Sequence, residues 1–215
     1  MYIQITTKCN MACAHCMFSC RPGHGKNMSF STFRKAVDIA VGEYVVIGGG
    51  EPTLHPNLIA MLGYAVLLQN DCKPFMITNG TCKQSLWNTL MRARHNKNIE
   101  IYVSKDPWHD SNLINSWVSY DADRLKLWWG DALYNRTIVA HGRAKTNLKR
   151  LIKDAKKWGY SKVSIEKENS CEVRVDPDGI VWADTDRPIR VGKLSASSNG
   201  KALDIIHKYE EENDI

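Results

Sequence analysis

The sequence predicts an α/β fold built on a parallel sheet, and two observations carry that prediction. Short apolar, often β-branched runs alternate with stretches whose apolar residues recur at helical spacing, and the chemically distinctive residues cluster just after the runs. Ligands of parallel βα folds bind at the C-terminal ends of the strands, so these clusters are expected to share one mouth. The sequence has no fixed-period repeat and no low-complexity segment, so the repetition is architectural.

Tyr2-Ile3-Gln4-Ile5-Thr6 alternates as a strand does and leads into a loop that ends in Arg21-Pro22-Gly23-His24-Gly25, where Pro and Gly forbid regular structure. Phe30, Phe33, Val37 and Ala40 then keep helical spacing, with Ser29 or Ser31 as N-cap. Glu43-Tyr44-Val45-Val46-Ile47 reads as the second strand and runs into Gly48-Gly49-Gly50-Glu51-Pro52-Thr53, and a helix follows through Leu58, Ile59, Leu62, Ala65 and Val66. Phe75-Met76-Ile77 leads to Thr78-Asn79-Gly80, and Leu86, Trp87, Leu90 and Met91 line one side of the next helix.

Ile99-Glu100-Ile101-Tyr102-Val103 ends in Ser104-Lys105-Asp106-Pro107-Trp108-His109, with a helix expected from about Ser111 to Ser119. Leu125-Lys126-Leu127-Trp128-Trp129, Thr137-Ile138-Val139 and Lys162-Val163-Ser164-Ile165 are further strand candidates. An amphipathic helix through Leu148, Leu151, Ile152, Ala155 and Trp158 lies between the last two and stops at Gly159. Beyond residue 166 the pattern changes. Cys171-Glu172-Val173-Arg174-Val175 and Ile180-Val181-Trp182 flank Asp176-Pro177-Asp178-Gly179 as a β-hairpin, and Leu203, Ile206 and Tyr209 suggest a short terminal helix. The chain is therefore divided into a core, residues 1–166, and an appendage, residues 167–215.

At 215 residues and 43% hydrophobic the chain can bury one substantial core. No apolar run reaches the roughly 18 residues that span a bilayer, and the N-terminus lacks the order of a secretory signal, so a soluble, cytoplasmic protein is expected. The net charge of +6 mildly favours an acidic partner. Lys145, Lys149, Arg150, Lys153, Lys156 and Lys157 gather on one helix, where a solvated face is the simpler reading.

The seven cysteines are odd in number, and Cys9, Cys13, Cys16 and Cys20 crowd into one short loop. That usage fits metal-bound thiolates in a reducing compartment better than a disulfide framework. Cys9, Cys13 and Cys16 stand in C-x3-C-x2-C spacing; soft thiolates select iron–sulfur clusters, zinc or Cu(I), and three of them leave a fourth metal position open. A structural zinc site with His15 as fourth ligand is the alternative.

With these stretches in order, the sequence resembles the radical S-adenosylmethionine (radical SAM) enzymes. Cys9, Cys13 and Cys16, with His15 before the last cysteine, match that family's signature, and Gly49-Gly50-Glu51-Pro52 matches its second mark. Thr78-Asn79-Gly80 and Ser104-x-Asp106 follow in the family's order. The resemblance covers roughly residues 1–165 and implies a partial (βα)6 open TIM-like barrel with a short C-terminal hairpin and helix extension. It implies that Cys9, Cys13 and Cys16 hold a four-iron four-sulfur (4Fe-4S) cluster whose fourth iron chelates S-adenosyl-L-methionine (SAM). Reductive cleavage of SAM then gives a 5′-deoxyadenosyl radical that takes hydrogen from a substrate.

The resemblance further implies cofactor contacts from His15, Gly49, Gly50, Glu51, Thr78, Asn79, Ser104 and Asp106, an adenine-side segment read at Val139-Ala140-His141-Gly142, and a flavodoxin- or ferredoxin-like electron donor. Cys20, Asp106, His109 and Arg143 are the catalytic candidates: Arg143 as a bidentate anion contact, His109 as a proton shuttle, and Cys20 as an extra ligand, a hydrogen-atom donor or a packed thiol. Cys72 and Cys82 read as core thiols. Cys171, with Gly192 beyond it, looks like a remnant of the cysteine-rich extension of peptide-modifying relatives. The substrate is read as a peptide or protein, or as a nucleotide or nucleic-acid base. A glycyl-radical-enzyme activase and a non-catalytic metal-binding module are the alternatives.

Overall fold

The computed structural model describes residues 1–40, 44–68, 74–96, 98–106, 108–129, 137–139, 142–157, 164–166, 173–183 and 189–194. Strands β1 (Tyr2–Thr6), β2 (Val46–Gly49), β3 (Phe75–Thr78), β4 (Glu100–Ser104) and β5 (Trp128–Trp129) lie side by side and parallel. Helices α1 (Phe30–Ile39), α2 (Leu58–Leu68), α3 (Gln84–His95) and α4 (Ser116–Leu125) alternate with them along the chain.

The register explains the core. Ile3 pairs with Ile47, Ile47 with Met76, and Met76 with Ile101, so one apolar row crosses four strands. It packs in a single cluster with Phe33 and Val37 of α1, Met61 and Ala65 of α2, Trp87 and Leu90 of α3, and Val118 and Ala122 of α4. Burying each such side chain is worth about 1.5–3 kcal/mol, so the helical spacing of these residues decides which helix face meets the sheet. Because the strands are parallel, their C-terminal ends fall on one edge, with Thr6 opposite Gly49 and Thr78 opposite Val103.

Ser29 is the α1 cap: its Oγ accepts the Thr32 N–H at 3.0 Å. Two boundaries differ from the sequence expectation. The stretch read as one helix from Ser111 to Ser119 is a 3-10 turn, Ser111–Leu113, then α4 from Ser116, because Asn115 is extended and donates its N–H to the Gly80 carbonyl at 3.2 Å. The stretch read as a strand from Leu125 to Trp129 is strand only at Trp128–Trp129. Helix α4 keeps Leu125, and Lys126 turns left-handed (φ 54°) to donate its N–H to Ala122.

Strands β6 (Thr137–Val139) and β7 (Ser164–Glu166) pair in parallel as a second sheet, with α5 (Gly142–Lys157) between them in sequence. Among the described residues the main sheet does not close, so the architecture is an open partial barrel. Val139 ends β6 and Gly142 begins α5, while Ala140 and His141 lie outside the described residues. So do Cys72, Trp158, Cys171 and the stretch expected to form a terminal helix.

The expected hairpin is present as β8 (Val173–Val175) and β9 (Ile180–Ala183). Asp176 builds its turn: Oδ1 accepts the N–H groups of Asp178 and Ile180, and Oδ2 accepts Trp182 Nε1. Sequence reasoning missed that β8 pairs in parallel with β1 and that β10 (Ile189–Lys193), containing Gly192, adds a further antiparallel strand. The hairpin also meets the cysteine loop, through the Lys26–Asp178 ion pair and through Arg174 over the Phe18 ring. Among the described residues no helix is long and apolar enough to cross a membrane.

Candidate metal centre

The cysteine loop leaves β1 at Thr6 and is pinned at its base, where the Thr7 N–H donates to Lys26 O at 2.9 Å and the Met28 N–H to Ile5 O at 2.7 Å. Gly25 (φ 112°) makes this closure possible, because a Cβ there would collide with the Thr7–Lys8 backbone. The loop is therefore fixed at the strand end and presents its sulfurs over the sheet's C-terminal edge.

Each of the three signature sulfurs has hydrogen-bonding company. Cys9 Sγ accepts the Met11 N–H at 3.4 Å, with Asn79 Nδ2 at 4.0 Å. Cys13 lies beside His109 and helps to raise that imidazole. Cys16 lies beside the Cys20 thiol, which against burial brings Cys16 down to about 5, helped by the backbone N–H groups of Cys20 and Phe18; the Cys20 thiol also donates to Phe18 O at 3.9 Å. Cys20 itself is buried and pushed far up by Cys16 and by burial, so it keeps its proton. Burial pushes Cys9 up to about 11. Cys82 is buried as expected of a core thiol and is pushed by burial up to about 12.

Helix α5 braces this loop from the other side. Arg143 donates from Nη1 to Cys13 O at 2.7 Å and from Nη2 to Cys20 O at 2.6 Å, and its own N–H meets Cys16 O at 2.9 Å. Asn147, one turn on, donates to Ala14 O at 3.0 Å. Arg143, the candidate bidentate anion contact, makes a bidentate grip on two backbone carbonyls. The planar guanidinium fork suits two neighbouring oxygens of either kind, which is why the sequence could not separate the two roles.

At the end of β2, Gly50 donates its N–H to Thr6 O at 2.7 Å and Glu51 to Lys8 O at 2.8 Å. A Cβ on Gly49 would strike the Thr6 carbonyl and one on Gly50 the Lys8 carbonyl, so the glycines let β2 close on the cysteine loop. The Glu51 side chain is fully buried and turned inward. Its Oε1 accepts Thr53 N–H (3.0 Å), Thr53 Oγ1 (2.6 Å) and Thr78 Oγ1 (2.7 Å), and its Oε2 accepts the Asn79 N–H (2.7 Å). Burial pushes this carboxyl up, opposed by those donors. Asn79 reaches on to Asn10 Oδ1 at 2.9 Å, and Thr81 closes the network by accepting Asn10 Nδ2 at 2.5 Å and donating its hydroxyl to Asn79 Oδ1 at 2.6 Å. Glu51, Thr78 and Asn79 therefore join β2, β3 and the cysteine loop. Asn10, Thr53, Thr81 and Asn147 were missed because isolated Asn and Thr carry no spacing signal.

After β4, half-buried Ser104 is followed by buried Asp106. Asp106 Oδ1 accepts the N–H groups of Trp108 (2.8 Å) and His109 (3.0 Å), and Oδ2 faces His109 Nδ1 (2.6 Å) and His15 Nε2 (3.1 Å). Burial would raise Asp106, but the two imidazoles outweigh it and hold the carboxyl well below its usual range. His109, lowered by burial, is raised more by Asp106 and Cys13, to about 10. The His15 ring lies 5.4 Å from Trp108 and edge-on 4.8 Å from His109. His109, the proton-shuttle candidate, is held by Asp106 through Nδ1.

The donor set fits an iron–sulfur cluster by its chemistry, three soft thiols from one loop that leave one metal position for another ligand. Among the described residues His15, Asp106 and His109 also bring three potential ligand atoms within 4.8 Å of one another. The buried Nδ1 of His15 has no hydrogen-bond partner, as suits an atom kept for a bound group.

Residues 3–106 match the sequence profile of the Radical SAM superfamily. Over 109 residues the chain is 35% identical to the antilisterial bacteriocin subtilosin biosynthesis protein AlbA of Bacillus subtilis (strain 168), covering 47% of this chain and 21% of AlbA. The chain thus matches about a fifth of that relative's length. Its fold is similar to that of BtrN in complex with AdoMet and 2-DOIA, with TM-score 0.64 and 14% identity over 98% of this chain and 84% of that one. It is also similar to histidine-tagged anSMEcpe with bound AdoMet, with TM-score 0.55 and 15% identity over 97% and 81%. At such identities the likeness is one of fold. The matched residues run from β1 to Asp106 and hold Cys9, Cys13 and Cys16 and the ends of β2, β3 and β4, and over them the chain matches the Radical SAM superfamily, whose cofactors are a four-iron four-sulfur cluster and SAM.

Proposed function

We propose that this chain is a radical SAM enzyme in which Cys9, Cys13 and Cys16 hold the cluster and the ends of β2, β3 and β4 receive SAM beside it. The observation that carries this reading is the donor set: three thiols, each met by hydrogen-bonding groups, on a loop braced from two sides. When bound, the cofactor pair supplies one-electron cleavage of SAM to a 5′-deoxyadenosyl radical able to take hydrogen from a substrate, chemistry that is the cofactors' own. An external donor of flavodoxin or ferredoxin type supplies the electron.

The chain's part is to bind and orient. Carbonyl oxygens at Gly49 and Gly50 accept the methionine ammonium, and Ser104 and His15 Nδ1 meet the rest of the molecule. Glu51, Thr78, Asn79 and Asp106 act by holding the surrounding backbone and rings. Cys20 holds Cys16 as a thiolate, and Arg143 holds the loop.

For the substrate we read a peptide. The support is the stretch shared with AlbA, a protein of bacteriocin biosynthesis. The exposed Lys145, Lys149, Arg150, Lys153, Lys156 and Lys157 of α5 are read as a solvated face. Within this proposal residues 167–215 remain an extension of the core at residues 1–166. Reconstituted protein given SAM, dithionite and deuterated candidate peptides should form deuterated 5′-deoxyadenosine. Deuterium transfer from nucleotides but not from any peptide would reverse the substrate reading.

A further inference from the structure

Two histidines and a buried carboxylate converge beside the cysteine loop. His15 comes from that loop, Asp106 and His109 come from the segment after β4, and one ligand atom of each lies within 4.8 Å of the others. Asp106 Oδ2 is 2.6 Å from His109 Nδ1 and 3.1 Å from His15 Nε2. First-row divalent ions hold nitrogen and oxygen ligands at about 2.0–2.2 Å, which sets neighbouring ligand atoms about 3.0–3.4 Å apart. Both edges through Asp106 therefore stand near metal-site dimensions, and a swing of one imidazole closes the third. The carboxylate is also aimed: Oδ1 accepts the Trp108 and His109 N–H groups at 2.8 and 3.0 Å, which turns Oδ2 to the rings. The His15 ring is flanked by Trp108 and His109, with centroids 5.4 and 4.8 Å away. Two imidazoles and one carboxylate are a ligand set of divalent ions with open positions, whereas three thiols suit softer metals.

We propose that His15 Nε2, Asp106 Oδ2 and His109 Nδ1 form a second metal site, which takes one divalent first-row cation and is separate from the three thiols. The cation displaces the ring protons that face Oδ2, so each of the two nitrogens turns from hydrogen-bond donor to ligand. In His15 the proton passes to Nδ1, a buried atom with no other partner. Three protein ligands leave coordination positions for oxygens, so the molecule this site would hold is one that presents a carboxylate or carbonyl at the strand ends. The site does not depend on whether the thiols carry a cluster.

The test is equilibrium dialysis of anaerobically reconstituted full-length protein against Mn²⁺ and, separately, Co²⁺, with bound metal counted. Wild type is compared with His15→Ala, Asp106→Asn, His109→Ala and Cys9→Ala, and far-UV circular dichroism checks each fold. Wild type and Cys9→Ala should bind one added ion per chain, and each of the other three variants should bind it at least about tenfold more weakly. Should the buried Asp106→Asn fail to fold, His15→Ala and His109→Ala carry the comparison. Wild type that binds neither ion at up to about 1 mM, or equal binding in wild type and the folded ligand variants, would overturn the inference. Loss of the added ion in Cys9→Ala would place it on the thiols and overturn the inference as well. Wild type that holds no iron yet binds one Mn²⁺ would overturn the cluster reading and leave this site standing.

Discussion

Glu51 and Asn79, on the ends of adjacent strands, are joined by a 2.7 Å hydrogen bond from the Asn79 N–H to a carboxylate with no solvent exposure. Each Glu51 oxygen accepts one backbone N–H, Thr53 on Oε1 and Asn79 on Oε2. In Glu51→Gln the amide NH2 must face one of these donors whichever way it is turned. The expected cost is about 1–3 kcal/mol, from a buried donor left without an acceptor. It is read as a lower urea midpoint with unchanged m; an unchanged midpoint would contradict the bridge.

Gly50→Ala should displace Cys9 without unfolding the core. The added Cβ meets the Lys8 carbonyl and lies 3.1 Å from Cys9 Cβ, and backbone cannot swing away. Iron bound per chain after reconstitution should fall severalfold while far-UV circular dichroism is unchanged. Gly63→Ala is the control: a Cβ there meets nothing within 4 Å on helix α2, so stability should rise by about 0.5–1 kcal/mol.

Arg143→Ala removes the grip on the Cys13 and Cys20 carbonyls and leaves the backbone bond to Cys16. Hydrogen exchange should quicken at the amides of Cys16 and Ser19 while β3 amides keep their protection. Loss of protection across β3 as well would mean that Arg143 supports the whole fold rather than the loop.

His55 gives a pH signature. Asn57 donates its N–H to His55 Nδ1 at 3.1 Å, so Nε2 carries the proton that meets Met28 O at 2.9 Å, and burial holds the imidazole below its ordinary pKa. The unfolded chain therefore takes up a proton near pH 6.5 that the folded protein refuses, and stability from this group is lost as pH falls below about 6.5, by at most about 1.4 kcal/mol per pH unit. His109 in the metal-free protein has the opposite sign, its contribution present below about 6.5 and lost as pH rises through about 10. The clean readout is the difference between wild type and His55→Gln, in which His109 cancels. Wild type should lose stability relative to the variant between pH 7 and pH 5.5, and a constant difference would contradict the neutral His55.

The units that position the site were legible because their signals are local. Ile3, Ile47, Met76 and Ile101 each sit in a short apolar run, and Phe33, Val37, Trp87 and Leu90 keep helical spacing. The limits lay where a choice depends on the partner. Leu125 and Leu127 are apolar in a run too short to tell helix end from strand, and the pairing of β8 with β1 joins residues more than 160 positions apart. In the site, residue type announced Glu51, Asp106, His109 and Arg143, but whether each faces a ligand or its neighbours depends on geometry. All four turn their side chains chiefly to the protein.

In the proposed function Cys9, Cys13 and Cys16 carry a cluster that cleaves SAM. The most direct measurement is 5′-deoxyadenosine formed by anaerobically reconstituted protein given SAM and dithionite, beside Cys9→Ala, Cys13→Ala and Cys16→Ala. Wild type should form product, and each variant should lose iron and product together. Iron-loaded wild type that forms no 5′-deoxyadenosine, with or without candidate peptides, would contradict it.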